Sequence, residues 1–385
     1  IKKMNITLKR TQEQIELIQA MGSKNRDTAY EAQVALAEFI GPVINEVVSN
    51  APTLSNLFTP LQYNADDNPS IPLDVYYDIS DEDYINVYST NSPGGLPTNQ
   101  VTPTHSELKL MTYKLDTAIS FDKKYASRSR LDVVSKSFTR AAQEILLKQE
   151  RTSGNLLLGA LASATTTVNG ATKKHTIQAN QANRFLLDDL NAMMTLAKRI
   201  RPSWAGGTPV AGSAGLTDII VSPETVEDLR EMAYNPINTR EADGTAAGAQ
   251  QGLAAPDSLR AGMYTSAGIP EFYGVSVMEI HELGPNSKFQ KIFNVLDSSS
   301  IDNNPNGGRS AQTVGDDDDL VLGIDRSRDA FVRAIAVDQE TGSEFNLVAD
   351  DQYSVRQAKV GWFGSIEEGR VVLDDRAIVA VAVER

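Results

Sequence analysis

The sequence predicts an α+β fold that begins with helices and closes with strands. Two observations carry this prediction. Apolar residues recur at helical spacing through residues 131–162, and short runs rich in valine and isoleucine fill much of residues 320–383. The 385 residues exceed the ~100–200 of an ordinary domain, so two or three domains are expected. An apolar content of 41% is enough for a core and argues against wholesale disorder.

Two helical segments are predicted near the start. A polar arm holds a helix-compatible stretch, residues 12–21, which ends at Gly22. The next helix is predicted over residues 27–49, and Gly41-Pro42 in its middle should kink or divide it. Its expected apolar face, with residues spaced by four, consists of Ala35, Phe39, Val43 and Val47.

Residues 57–120 are expected to form an extended ribbon. Runs rich in β-formers at 70–79, 84–89 and 108–121 are separated by a turn-forming cluster at 91–95. An isolated ribbon is only marginally stable in water. We therefore expect this one to rest on another surface, such as another subunit.

Residues 131–162 give the strongest helical pattern in the chain. A continuous helix would be about 45–50 Å long. Basic residues occupy its other faces, with Glu144 four residues before Lys148 as a supporting pair. A charged face of this kind is often simply solvated, and that alternative stays open. The apolar stripe consists of Val134, Phe138, Ala141, Ala142 and Ile145.

The second half alternates strands with helices and polar loops. A helix over 185–200 stops before Pro202, and a buried strand over 217–221 leads into a helix with Ser222 as N-cap and Pro223 at its first position. Polar loops are predicted at 235–258 and 298–319. Further strands are predicted at 275–280, 289–296, 320–324, 330–337, 354–363, 371–373 and 377–383.

The composition excludes several kinds of chemistry. The chain has no cysteine, so disulfides, thiolate metal sites and a cysteine nucleophile are ruled out. Its three histidines are far apart, and no apolar run approaches the ~18 residues of a membrane span. No nucleotide-binding, zinc-protease or hydrolase motif is found. We therefore predict no enzyme, no cofactor and no catalytic or metal site.

Three weaker patterns have plain interpretations. His281-Glu282 is half of a zinc-protease motif without a partner histidine. The Asp316–Asp319 run lacks the ligands that a calcium loop needs at later positions, so a solvated loop is favoured. Trp204 and Trp362 have no interleaved basic residues, which favours core or interface packing over a nucleic-acid stacking platform.

The distribution of charge along the chain is uneven. The net charge is −14, which argues against a surface built to hold nucleic acid phosphates. No lysine or arginine occurs between Asp27 and Leu108, whereas bases outnumber acids from Lys109 to Arg201. An acidic ribbon and a basic helix in one chain favour head-to-tail self-association, in which complementary charge fixes partner and register. Chance clustering is the alternative.

The predicted inter-subunit contact therefore has an acidic and a basic side. On the ribbon the expected residues are Asp66, Asp67, Asp74, Asp78, Asp81, Glu82 and Asp83. On the long helix and its flank they are Lys123, Lys124, Arg128, Lys136, Arg140, Lys148 and Arg151.

The order of these parts resembles the major capsid proteins of tailed bacteriophages, whose Hong Kong 97-type fold is shared with encapsulins. Three stretches carry the resemblance: residues 217–225 (TDIIVSPET), 268–277 (GIPEFYGVSV) and 354–383. The resemblance implies an N-terminal arm and helix at 1–56 and an E-loop at 57–120. It further implies a peripheral domain at 121–182 with a spine helix, an axial domain at 183–344 and closing peripheral strands at 345–385.

The resemblance also implies a function. The chain would assemble through hexamers and pentamers into an icosahedral-type shell around double-stranded DNA, without sequence-specific binding and without a membrane. Expected partners are further copies of itself, a portal, and decoration or scaffolding proteins. The location would be the virion capsid, assembled in the host bacterial cytoplasm. Ile1 would fit cleavage by a maturation protease, or simply mark where this sequence begins. A lysine–asparagine cross-link cannot be placed, since Lys109 and Lys114 lie near the ribbon base.

Three alternatives stay open. An encapsulin-like shell would hold an enzyme cargo instead of DNA. An acidic extracellular adhesin or surface-layer protein would have a secretory leader and calcium-dependent stability. An unrecognised enzyme would need a concave pocket that contains strongly perturbed acids.

Overall fold

The structure is a computed structural model, and it describes most of the chain. The described residues are 11–49, 54–64, 68–72, 107–128, 131–168, 171–200, 215–234, 271–272, 274–287, 296–305, 309–326, 330–337, 344–350 and 358–385.

Runs of helices and runs of strands follow one another along the chain, as expected for an α+β fold, which confirms the predicted class. The helices are α1 (Gln12–Met21), α2 (Arg26–Ser49), α3 (Lys123–Ser127), α4 (Leu131–Ser163), α5 (Leu187–Ile200) and α6 (Pro223–Tyr234). The strands are β1 (Thr59–Asn64), β2 (Ser70–Pro72), β3 (Glu107–Lys109), β4 (Tyr113–Asp122), β5 (Thr165–Val168), β6 (Ala171–Lys174), β7 (Thr176–Gln178), β8 (Asp218–Val221), β9 (Glu271–Phe272), β10 (Val275–Glu279), β11 (Ile301–Asp302), β12 (Asp319–Ile324), β13 (Phe331–Val337), β14 (Asn346–Asp350), β15 (Lys359–Val372) and β16 (Ile378–Val383).

The chain divides into two compact units. The first contains residues 1–71, 109–153 and 331–371, and is built on a five-stranded sheet. In this sheet β1 pairs in parallel with β13, while β4 and β14 both pair antiparallel with β15. The helices α1, α2 and α4 bury their apolar residues against one face of the sheet.

Trp362 on β15 lies at the centre of the first core. The centroid of its buried ring lies 5.3 Å from the ring centroids of both Phe121 on β4, which is tilted against it, and Phe138 on α4, which meets it edge to face. Its indole N–H donates to the carbonyl oxygen of Gln33 on α2 at 3.2 Å. One side chain thus joins two helices and two strands, and the prediction that this tryptophan packs in a core or interface is confirmed as core. Trp204 lies outside the described residues.

The predicted apolar face of α2 is wrong. The buried stripe is offset by one residue, while Ala35 is exposed and Phe39 is 54% exposed. Both sets recur every four residues, so periodicity alone could not choose between them. The helix also continues through Pro42 rather than dividing there. The buried stripe consists of Ala32, Leu36, Ile40, Ile44 and Val48.

The second unit contains residues 72–108, 154–330 and 372–385, and is built on a seven-stranded sheet. Its strand order is β11-β7-β16-β12-β8-β10-β9. Every residue of β8, β12 and β16 is buried, which explains their unbroken Val, Ile and Leu content. The helices α5 and α6 pack their apolar faces on this sheet.

The predicted strand-to-helix step at Ser222 is confirmed. The Ser222 hydroxyl accepts a hydrogen bond from the backbone N–H of Thr225 at 3.1 Å, as an N-cap should. The same hydroxyl also donates to the buried carboxylate of Asp319, which binds Arg385 at 3.3 Å. Asp319 is therefore part of the core of this unit and does not belong to a solvated acidic loop.

Several strands were not expected from the sequence. β1, β14 and the β5–β6–β7 group lie in segments without a strong pattern, and β11 lies inside the predicted polar loop 298–319. Residues 359–363 and 371–372 of two separately predicted strands belong to one strand, β15, whereas 354–357 lie outside the described residues. The predicted loop 235–258 lies outside the described residues, as does all of the predicted strand 289–296 except residue 296.

His175 is a fully buried histidine in the second unit. Its Nδ1 lies 2.9 Å from the carbonyl oxygen of Asp375 and 3.1 Å from that of Ile378, so this nitrogen carries the proton and donates. Its Nε2 accepts from the Thr166 hydroxyl at 2.8 Å. Burial lowers the pKa of His175 below its ordinary value, against the opposing charges of Asp374 and Asp375. A neutral imidazole, which donates from one nitrogen and accepts at the other, matches these buried hydrogen-bond partners.

We expect stability to fall in mild acid because of this histidine. Its folded-state pKa is lower than the unfolded value of about 6.5, so below that pH the unfolded chain takes up the proton first. As the pH falls, the free energy of unfolding of the native chain, measured with urea, should decrease by up to about 1.4 kcal/mol per pH unit more than that of His175→Gln. Identical pH profiles for the two proteins would contradict the assignment.

Candidate assembly surface

The outer face of α4 carries the predicted basic residues of the long helix. α4 is continuous over 33 residues, and its apolar stripe is buried as predicted. At 3.6 residues per turn, its four predicted bases fall within an arc of about 120°, over a length of about 22 Å. All four are exposed: Lys136, Arg140, Lys148 and Arg151. We call this set the basic stripe.

The basic stripe also has one acid beside it, because the exposed Glu144 lies on the same arc of α4. Within the described part of the chain, none of its four side chains forms an ion pair or a hydrogen bond, and the expected Glu144–Lys148 pair is not formed. Leu147, which lies on the same arc, is 41% exposed. Four free cations beside an exposed leucine make a surface suited to an acidic, partly apolar partner.

The three flanking bases lie on a separate short helix. Lys123 and Lys124 begin α3, and Arg128 directly follows it; the first is half-buried and the others are exposed. α3 sits close to the end of α1, because a Cβ at Gly22 would come within 2.8 Å of the Ser127 backbone. No ion pair is found for these three side chains among the described residues.

The acidic half of the predicted contact cannot be placed. All seven acidic residues, from Asp66 to Asp83, lie outside the described residues. The described base of the ribbon is closed by the β2–β3 pair, and the N–H of Leu110 donates to the carbonyl oxygen of Pro69 at 2.9 Å. The ribbon-to-helix contact therefore stays a prediction.

A buried polar network locks α4 to the sheet below it. Glu368 on β15 has a fully buried side chain, and its carboxylate accepts hydrogen bonds from four groups. These are Tyr113 Oη at 2.8 Å, Arg333 Nε at 2.9 Å, Arg370 Nη2 at 3.0 Å and Gln149 Nε2 at 3.1 Å. Because Gln149 belongs to α4, the network fixes the helix along its length and around its axis.

Arg370 extends the same network in two directions. Its guanidinium donates to the backbone carbonyl of Gln149 at 3.1 Å and to the Ser55 hydroxyl at 2.6 Å. Burial lowers the pKa of Arg370, and the charge of Glu368 opposes this. Burial likewise raises the pKa of Tyr113 to about 12. These groups were not expected from the sequence, where only the charges inside a Val-rich strand could have indicated them.

The face of the five-stranded sheet that points away from the helices is partly apolar. Phe363 and Val348 are direct cross-strand partners on β15 and β14, at 41% and 49% exposure. Glu367 on this face bonds to Lys114 at 3.4 Å. The alternation of Glu367 outward and Glu368 inward follows from the strand period of two.

The described residues contain no cluster of side chains suited to hold a metal ion, since they include no group of three or more potential metal ligands. Asp317 and Asp318 bind Asn286 and the backbone of Gly315, and His281 lies 4.0 Å from Glu279 at the surface. No described helix has the length and hydropathy needed to cross a bilayer.

No protein-family model and no curated protein sequence matches the chain. Solved structures that it resembles are mainly phage-type capsids, the family that the sequence resembles. They include the capsid of a native GTA particle (14% identity, 87% of this chain and 90% of that chain, TM-score 0.46). Others are the mature capsid of bacteriophage PhiM1 (10%, 86% and 86%, 0.47) and an encapsulin from Synechococcus elongatus (12%, 73% and 77%, 0.40).

We expect Glu368→Gln to destabilise the first unit by about 3 kcal/mol or more. The substitution leaves the buried Arg333 and Arg370 without their shared counter-charge, which is far costlier than losing a surface pair. The free energy of unfolding in guanidinium chloride measures the loss.

The neighbouring Glu367→Gln serves as the matched control. Its ion-pair partner Lys114 is exposed, and the amide oxygen of Gln can still accept from Thr112 and Tyr63, so this change should cost about 1 kcal/mol or less. Equal losses in the two variants would show that the inward network does not lock the helix.

Proposed function

We propose that this chain is a structural shell protein, the major capsid protein of a tailed bacteriophage. It would assemble through hexamers and pentamers into a shell around double-stranded DNA. The observation that carries the proposal is the basic stripe. A helix of 33 residues is locked to a sheet on one side, and on the other it presents cations that have no partner among the described residues. Such a rigid, charged face fits repeated contact with another copy of an acidic chain.

The proposed contact joins the acidic ribbon of one copy to the basic stripe of the next. On the ribbon it would use Asp81, Glu82 and Asp83 together with the acids before them. Each exposed ion pair contributes only ~0–1 kcal/mol, so the contact sets partner and register more than it adds affinity. Many repeats of a weak contact make a closed shell stable while keeping each step of assembly reversible.

The remaining parts of the proposal concern organisation and partners. Within residues 57–120, the segment between β1 and β4 would be the arm that reaches the neighbouring copy, because β1 and β4 themselves pair inside the first unit. Residues 121–182 and 345–385 would form the peripheral domain and 183–344 the axial domain, except that β7 and β16 belong to the seven-stranded sheet and β13 to the five-stranded sheet. The net charge of −14 would keep the wall from holding packaged DNA through its phosphates. A portal and decoration or scaffolding proteins would join the shell, and its place would be the virion, assembled in the host cytoplasm.

A charge swap tests the contact. Asp81, Glu82 and Asp83 changed to Lys should block assembly, because like charges then face each other. Lys136, Arg140 and Arg151 changed to Glu should block it for the same reason. The chain carrying both sets of changes should regain assembly, which sedimentation velocity and electron microscopy would detect.

A matched control reverses three exposed bases elsewhere: Lys24, Lys198 and Arg326 changed to Glu. This control alters the net charge as the stripe variant does and should assemble normally. Normal shells from either single-sided variant, with circular dichroism that confirms folding, would refute the ribbon-to-stripe contact.

A further inference from the structure

A cleft in the second unit is lined by none of the residues of the proposed assembly surface. It has a volume of about 380 Å³ and lies between α5, the β7–β11 edge of the seven-stranded sheet and the neighbouring strand β6 of the two-stranded β5–β6 sheet. Its wall is apolar and its rim carries two cations, Lys173 from β6 and Arg199 from α5. The wall residues are Ile177, Ala192, Leu196 and Ile200.

The apolar wall is part of the core of this unit. Ile177, Ala192 and Ile200 are almost fully buried and pack among the residues beneath the sheet. The wall is therefore held in place by the fold. Binding pockets for small molecules are typically ~300–1,000 Å³ and mostly apolar, with a few polar groups that orient the ligand.

The polar groups on the opposite side of the cleft are already engaged. The Asp302 carboxylate accepts from the backbone N–H of Lys174 at 2.9 Å, and the Lys174 ammonium donates to the carbonyl oxygen of Ile301 at 3.2 Å. The Asn303 side-chain oxygen accepts from the N–H of Ala311 at 2.8 Å.

Lys173 and Arg199, by contrast, have no ion pair or hydrogen bond from their side chains within the described residues. Two lining cations against the single carboxylate of Asp302 give the cleft a net positive rim. A free ammonium and a free guanidinium both donate well to a carboxylate.

We infer that this cleft binds a small amphipathic anion, with one carboxylate and an aliphatic body. The carboxylate would meet Lys173 and Arg199, and the hydrocarbon would lie along Ala192 and Leu196. Removing hydrocarbon from water favours binding, and the gain rises with each CH₂ that is buried. The inference does not depend on the shell function, since it uses only residues of the second unit.

Octanoate is a suitable probe, and isothermal titration calorimetry of the full chain measures its binding. We expect octanoate to bind, while octanol and octylammonium bind at least about tenfold more weakly because neither satisfies the cations. Lys173→Gln and Arg199→Gln should each weaken octanoate binding about tenfold. Ala192→Leu should also weaken octanoate binding, because the larger side chain would occupy part of the cleft.

The control is Lys198→Gln, which removes an exposed charge next to Arg199 that does not line the cleft. This variant should bind octanoate as the native chain does. Three results would each overturn the inference: no octanoate binding by the native chain, equal binding of octanol, or equal losses for Lys198→Gln and Arg199→Gln.

Discussion

The packing of Phe138 against Trp362 is the contact on which the first unit depends. It fixes which side of α4 faces the sheet, because the aromatic pair sits at the middle of the apolar stripe and at the centre of the core. Trp362 also holds α2 through Gln33 and β4 through Phe121. With one face of the helix committed in this way, the opposite face must carry its bases into solvent.

The hydrogen-bond network around Glu368 fixes the position and rotation of α4, which apolar packing alone does not. Apolar contacts alone tolerate small rotations and shifts of a helix. Four directional hydrogen bonds to one carboxylate, in contrast, can form together in only one position of the helix on the sheet. Gln149 of α4 is one of those donors, so the position of the basic stripe along the sheet is set by hydrogen bonds. A helix held this firmly presents its charges at a constant spacing, and a shell of identical copies needs that constancy because any variation would be repeated at every contact.

Sequence patterns predicted the parts of the fold that depend on local periodicity. The long helix, the strand-to-helix step at Ser222 and the buried strands β8, β12 and β16 follow from spacing, capping and continuous apolar runs. The face of α2 was predicted wrongly because two apolar stripes overlap in one helix. β15 was split because glycines and Glu367-Glu368 interrupt its pattern; at Gly364 a Cβ would come 2.5 Å from the Phe345 ring, a reason visible only in three dimensions. The bases of the candidate surface were predicted, but the buried network that positions them joins residues hundreds of positions apart.

Electron microscopy of the purified full chain, together with its mass from light scattering, shows whether this protein builds a shell. We expect closed polyhedral particles, or hexameric and pentameric rings, under assembly conditions. DNA inside such particles supports the phage assignment, whereas an enzyme cargo would identify an encapsulin-like shell. A monodisperse monomer or dimer under the same conditions would contradict this expectation.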